Sequence, residues 1–508
     1  MLETLASTQH ASKSPKTEFL FITTSTIPQR LKKGDALRHA ISSHAAKARV
    51  SGAGSSRFDK DELTARPTKW KDSRKIREKY TAKIKLQSWR RKSGRRRAPD
   101  RTEKQELQPD PTWLQVRTGA LIVHELSPPN PLPISFFPNT GILLNFYHCL
   151  NTNSFALNPD GDWFDLIRGD AAALHALISV AGRIRALQLG KEEETDVSRH
   201  KSEALKLINQ QLSANDGILT DTLIAAVAVL VNQEAMSSSF ESATIHMQGL
   251  AQMVQLRGGL ASVNSRLVLQ RVIAWGDFSY STTWGRPLFF PRLASLDARL
   301  PPSLRRSGSN TLKAAYASES HALPQTLFDA FDLLNAITYA IDNFETGNFG
   351  RRDISDSIYH AEYMLSELNS QVTPLGNDHT AAALTAAALL FSHLCIRSLP
   401  VNAPRHRFLF SSLHSILQDS TLALDPQDLE AQNCVLLWLH CVGAADESKS
   451  IPRGLHIAEI ERLCIALELR MYEDFETSLK LVLWVEEYPY ARRVWEDVSL
   501  SLAIEQDL

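Results

Sequence analysis

Residues 238–260 read SSFESATIHMQGLAQMVQLRGGL, and how this stretch folds decides the class of the chain. Ala243, Met247, Leu250 and Val254 recur at spacings of 4, 3 and 4. That period lines one face of an α-helix and mixes the two faces of a strand. Ser238 with Glu241 three residues on has the capping-box pattern of a helix start. Gly258-Gly259 supplies the left-handed residue at which helices end. Arg257, just before the stop, is placed to favour the negative end of the helix dipole. The stretch therefore reads as one complete amphipathic helix whose stripe packs a core.

The same grammar extends in both directions. GDAAALHALISVAGRIRALQLG, 169–190, has Asp170 at an N-cap position, Leu174, Leu177, Ile178 and Ala181 on one face, and Gly190 at the stop. SEALKLINQQL, 202–212, is a shorter amphipathic segment. TDTLIAAVAVLVNQEA, 220–235, opens on a Thr220/Asp221 cap and is apolar nearly all round, as a buried core helix must be. Further helical patterns fall at roughly 265–280, 324–343, 353–369, 378–397, 407–417, 428–443, 456–470 and 475–486. Convincing alternating strands are absent, and no fixed 34- or 40-residue period supports a regular solenoid. The fold expected is all-α: a large irregular multi-helix body with a basic, largely disordered N-terminal arm.

That arm shows in the charge distribution. The formal net charge is +0, yet residues 1–99 hold 25 Lys/Arg against 8 Asp/Glu, and the other 409 residues hold 31 against 48. Residues 1–17 are polar and expected to be disordered. Residues 18–50 combine a short extended patch, Phe19 to Ile22, with a basic helix over 29–49 that carries Leu37, Ile41 and Ala45 on one side. Residues 51–140 read as a basic and Pro-rich linker, with eight prolines between Pro99 and Pro138. Residues 141–508 form the helical domain. The N-terminus, MLETLASTQHASKSPKTEF, has no long apolar stretch, so no secretory signal is expected. No run of about 18 apolar residues stands out, so no membrane partner is expected either.

Composition narrows the chemistry. Hydrophobic residues make up 43% of 508, enough to bury a substantial core. The five cysteines, Cys149, Cys395, Cys434, Cys441 and Cys464, include no pair at metal-ligand spacing. Cys434 and Cys441, seven apart on an apolar run, share a helix face and read as reduced core thiols. The phosphate-binding glycine loop, the His-Glu-x-x-His zinc motif, the Gly-x-Ser-x-Gly elbow and the kinase triplets are all missing. Gly52-Ala53-Gly54 lies in a Ser-rich break without the strand-to-helix context of a phosphate cradle. No catalytic residue, metal ligand or cofactor is assigned, and the chain is not expected to be an enzyme.

One run carries a specific expectation. In WRRKSGRRR, 89–97, Arg90, Arg91, Lys92, Arg95, Arg96 and Arg97 place six cations within eight residues. Such density suits the acidic pockets of the nuclear import machinery. It also suits a phosphate backbone, which rewards cations by counterion release. Non-specific DNA is thus a candidate partner. A solvated charge run is the alternative.

SATIHMQGLAQMVQLRGGL resembles the signature of fungal-specific transcription factor domains, the large helical region of fungal zinc-cluster regulators. The positions that carry the likeness are His246, Gly249, Leu250, Met253, Val254, Leu256, Arg257, Gly258, Gly259 and Leu260. DAAALHALISVAGR and DTLIAAVAVLVNQEA are similar to that family's preceding helices. RVIAWGDFSYSTTWGRPLFF, with Trp275, Asp277 and Pro287, is similar to its next one. FLFITTSTIP followed by ALRHAISSHAAKAR resembles an N-terminal segment of a subgroup. The likeness spans about residues 18–50 and 120–500. One departure matters: DNA-reading members carry a six-cysteine zinc cluster near the N-terminus, and here the first cysteine is Cys149. The resemblance implies a nuclear transcriptional regulator that acts through its helical domain and through transcription-related proteins, without the DNA-reading head. A homodimer is left open. The competing readings are a non-nuclear helical scaffold or ligand-binding protein, and an enzyme on an α-helical fold.

Overall fold

The computed structural model describes residues 132–149, 155–214, 218–263, 266–301, 304, 308–316, 323–371, 379–418, 429–446, 453–486 and 488–506. The expectations for residues 1–131, the basic helix and the Arg/Lys run included, lie outside these. Among the described residues there are sixteen α-helices and no strand, so the fold is all-α.

The first half is built around one apolar helix. In order come α1 (Thr140–Cys149), α2 (Trp163–Ile167), α3 (Ala171–Gln188), α4 (Thr195–Ala214), α5 (Asp221–Ser237), α6 (Phe240–Leu256) and α7 (Leu267–Trp284). Helix α5 buries residues on every side from Leu223 to Met236, and packs against α3, α4, α6 and α7. A helix that is apolar all round can do this only at the centre of a bundle. Gly276 of α7 lets the two backbones approach closely: a Cβ there would stand 3.2 Å from the Ala228 carbonyl oxygen of α5.

The capping residues legible in the sequence do what local geometry asks. Asp170 accepts from the Ala173 N–H at 2.9 Å, and its other oxygen accepts from Thr222 at 3.0 Å and Gln211 at 3.2 Å. One N-cap carboxylate thereby ties α3 to both α4 and α5. Thr220 accepts from the Leu223 N–H at 3.2 Å.

The capping box at Ser238 does not form. Ser238 adopts φ 56 as the left-handed residue ending α5. Ser239 becomes the N-cap of α6, without a side-chain cap bond. The stop of α5 leaves only Ser238 and Ser239 between the helices, and the end of one takes precedence over the start of the next.

The second half comprises α8 (Gly308–Ala315), α9 (Gln325–Asp342), α10 (Arg351–Gln371), α11 (His379–Phe391), α12 (Arg407–Gln418), α13 (Leu429–Gly443), α14 (Arg453–Ala466), α15 (Tyr472–Lys480) and α16 (Pro489–Gln506). Helices α8 and α16 have no counterpart in the sequence reading, and α14 and α15 start about three residues earlier than expected. The segment His379–Ile396 is, contrary to expectation, long and apolar enough to cross a membrane, but 83% of it is buried inside the body. It is a core helix, and it ends in a π-helical turn over Ser392–Ile396.

Two large apolar cores result. One lies among α2 to α7, the other among α8 to α16. Between them runs a seam where α7 meets α10 and α12, filled by a small cluster of Trp275, Phe278, Tyr359 and Leu399. Arg271, Asp356, Glu362, Arg397 and Arg405, all buried, gather along this seam.

Candidate functional site

The signature helix is core first. Ala243, Met247, Leu250, Met253 and Val254 are fully buried, as their spacing predicts. Gly249 is half-buried, Leu256 is exposed and Leu260 opens a short 3₁₀ turn against the core. Gly258 and Gly259 take φ +108 and +80, and the Gly259 N–H returns to the Val254 carbonyl at 2.9 Å. That is the helix stop expected of them.

The polar signature residues serve α5. His246 is buried with its Nε2 3.4 Å from Glu234 Oε1, and Lys201 Nζ lies 2.8 Å from the same oxygen. Burial raises the Glu234 carboxyl, but His246 and Lys201 outweigh it and hold the group below its ordinary value. Arg257 does not spend its side chain on its own helix end. It pairs with Asp221 in the first turn of α5, where an acid suits the positive end of that helix. The signature is therefore a clamp that fixes α6 to both ends of α5.

Two buried ionic groups lie at the seam, and the first crosses it. Arg271 of α7 is wholly buried. It bonds to Asp356 of α10 and donates Nε to Ser355 Oγ at 2.9 Å, and the Ser355 hydroxyl in turn donates to the Ala156 carbonyl at 2.5 Å. Arg299 reaches the other Asp356 oxygen at 3.1 Å. Even so, burial raises the Asp356 carboxyl, and the arginines only partly offset it. In the second group Arg397 donates Nε and Nη2 to the two oxygens of Glu362, at 2.7 and 2.6 Å, and Ser392 adds a hydroxyl donor at 2.7 Å.

Beside that pair lies a cationic cluster that the sequence reading missed. Arg405, in the 3₁₀ turn Pro404–His406, is 1% exposed. Its Nη1 donates to Asn232 Oδ1 at 3.2 Å, while its buried Nε and Nη2 have no hydrogen-bond partner. Burial, with Arg397 nearby, brings its guanidinium down to about 9. The Trp275 ring centroid lies 3.8 Å from Arg397 Cζ and 4.5 Å from Arg405 Cζ. His393 and His406 stack at 5.6 Å. Burial, reinforced by Arg405, holds both imidazoles neutral, His406 at about 3. A cavity of about 60 Å³ adjoins this cluster, with Asn232, Trp275 and Arg397 in its wall and otherwise mostly apolar lining from α2, α3 and α5.

A further acid stands at the edge of the seam. Asp277 of α7 accepts the Phe289 N–H at 2.9 Å and the Phe290 N–H at 2.9 Å. It thus anchors the segment that follows α7. Burial pushes its carboxyl up to about 7, against the pull of those two backbone bonds.

Little in these arrangements favours covalent chemistry. Cys395, Cys434, Cys441 and Cys464 are all buried. Burial pushes Cys441 and Cys464 up to about 12, so both are thiols at neutral pH. Among the described residues no group of three or more His, Cys, Asp or Glu side chains could hold a metal ion. Arg90, Arg91, Lys92, Arg95, Arg96 and Arg97 lie outside the described residues.

The two-core helical body, clamped by the α5–α6 signature, defines a large all-α domain. The fungal specific transcription factor domain matches residues 144–464. The chain belongs to that family, a family of transcriptional regulators. No curated protein and no solved structure matches it.

Proposed function

We propose that this chain is a nuclear transcriptional regulator that acts through its helical body and its contacts with transcription-related proteins, with no zinc-cluster DNA-reading head. The observation that carries the reading is the family match over residues 144–464, most of the helical body. In support, no cysteine precedes Cys149, so the sequence offers no six-thiolate cluster to share two zinc ions. The six cations of 90–97 supply import and a weak, sequence-independent affinity for DNA. No catalytic role is assigned.

The test is chromatin occupancy of the tagged full chain, read beside its localisation. Nuclear accumulation with enrichment at a set of promoters is expected. Exclusion from the nucleus would overturn the reading in favour of a non-nuclear scaffold or ligand-binding protein.

A further inference from the structure

A guanidinium is among the costliest groups to bury without a counter-charge. Arg397 meets that demand with both oxygens of Glu362. Arg405 does not: no carboxylate lies within salt-bridge distance of it among the described residues. Its one hydrogen bond, to Asn232, is to a neutral amide. The cluster thus contains two arginines, two neutral imidazoles and a single, already engaged carboxylate, which leaves one buried positive charge in excess.

The space beside it is of the right kind to hold the missing anion. Three of the cavity's wall residues, Asn232, Trp275 and Arg397, are the groups that surround Arg405. The rest of the lining is largely hydrocarbon, with Val180, Ile184 and Val229 among it. At roughly 10–15 Å³ per water-sized group, a cavity of about 60 Å³ takes about four to six such groups. A dianion such as phosphate would bring a second charge with nothing to offset it and would face apolar walls. A single carboxylate on a short apolar body satisfies the charge and the walls together.

We propose that this cavity, bounded by α2, α3, α5, α7 and the Arg397–Leu399 turn, binds a small organic monocarboxylate. Its carboxylate is held by Asn232 and Arg397 in the wall, with the unmatched charge of Arg405 one layer behind Asn232 and Trp275, and its apolar body lies against Val180, Ile184 and Val229. The site spans the seam: Asn232 and Trp275 come from the first half, and Arg397 and Arg405 from the second. Its occupancy therefore bears on how firmly the halves are joined. The proposal goes beyond the regulatory reading and does not depend on it, because binding is measured on the purified protein.

The test is calorimetric titration of the purified full chain with acetate, propionate and butyrate, and with butyramide as the uncharged match of butyrate. At least one of the acids is expected to bind saturably at one per chain. Butyramide should bind roughly tenfold more weakly than butyrate or worse, the scale set by losing a charge-assisted hydrogen bond. Arg405→Met should weaken the acid by a similar factor, and Val229→Phe, which fills the cavity from its apolar wall, should abolish binding. The proposal is overturned if none of the three acids saturates by about 10 mM, a concentration at which even millimolar binding would show. Equal binding of butyrate and its amide would also overturn it, as would unchanged affinity in Arg405→Met. If Arg405→Met fails to fold, Val229→Phe decides, and wild-type affinity in that variant overturns the proposal.

Discussion

Arg397 and Glu362 face each other across α10 and the end of α11 with two parallel hydrogen bonds, at 2.7 and 2.6 Å, both side chains almost wholly out of water. Such a pair contributes little net stability over an apolar replacement, but removing one partner strands the other. Arg397→Met should therefore cost about 3–5 kcal/mol in urea denaturation. Adding Glu362→Leu should restore only part of that loss, because Glu362 is also the nearest compensation for Arg405. Full recovery in the double variant would show that Arg405 does not sense Glu362.

Leu250 tests the reading of the signature helix as core. Its side chain is 0% exposed between α5 and α6, so Leu250→Ala should cost about 2–5 kcal/mol by lost burial and the cavity left behind. Leu256, one turn and a half later, is 56% exposed, and Leu256→Ala should shift stability by roughly 0.5 kcal/mol or less. Equal losses at the two positions would contradict the placement.

Asp277 predicts a pH dependence of stability. Its folded carboxyl titrates at about 7, well above the ordinary 3.8. The native state thus holds a proton that the unfolded chain has already released. The contribution is full below about pH 4 and is lost as pH rises through about 7, with a limit of roughly 4 kcal/mol at 1.36 kcal/mol per unit. Asp277→Asn removes this dependence. The stability difference between wild type and variant should move against the wild type between pH 5 and 8, and a difference that stays flat would count against a protonated Asp277.

How much of this could be read without coordinates depended on range. The stripe Ala243, Met247, Leu250, Val254 and the caps Asp170 and Thr220 were legible because each is decided within a turn or two of chain. Helix α16 escaped although Ala491, Val494 and Val498 are buried at spacings of 3 and 4; Arg492, Arg493 and Glu496 between them masked the stripe. Ser238 misled because two helices compete for it. The Arg405 cluster was illegible in principle. Asn232 stands 173 positions away, and nothing local to PRHR at 404–407 says that its first arginine will be buried while Arg407 stays at the surface.

The basic run is testable apart from the body. Changing Arg90, Arg91, Lys92, Arg95, Arg96 and Arg97 to Ala should move the tagged chain towards the cytoplasm and flatten the salt dependence of any DNA binding. Phosphate contacts alone give dissociation constants of about 10⁻⁴–10⁻⁶ M. Far-ultraviolet circular dichroism should be unchanged, since the run lies outside residues 141–508. Full nuclear entry of the variant would reject the import assignment.

Zinc provides a separate check. The chain should purify without stoichiometric zinc, because its five cysteines lack paired spacing. Elemental analysis showing two zinc ions per chain would overturn that expectation.

The π-helical turn at Ser392–Ile396 works as a phase setting. The Arg397 N–H returns five residues, to the Ser392 carbonyl at 2.9 Å, where an α-helix would return four. The extra residue rotates everything beyond it by about 100° around the helix axis. It is in this rotated frame that Ser392 and Arg397 both meet Glu362. Deleting one residue of the turn, Leu394 for instance, would let the helix close into regular α geometry and lose almost no backbone bonding. It would also swing Arg397 off its partner and pull the Pro404–His406 turn out of alignment with Asn232. The seam between the two cores is thus indexed by a single supernumerary residue, and insertions or deletions there should be far more damaging than substitutions at the same positions.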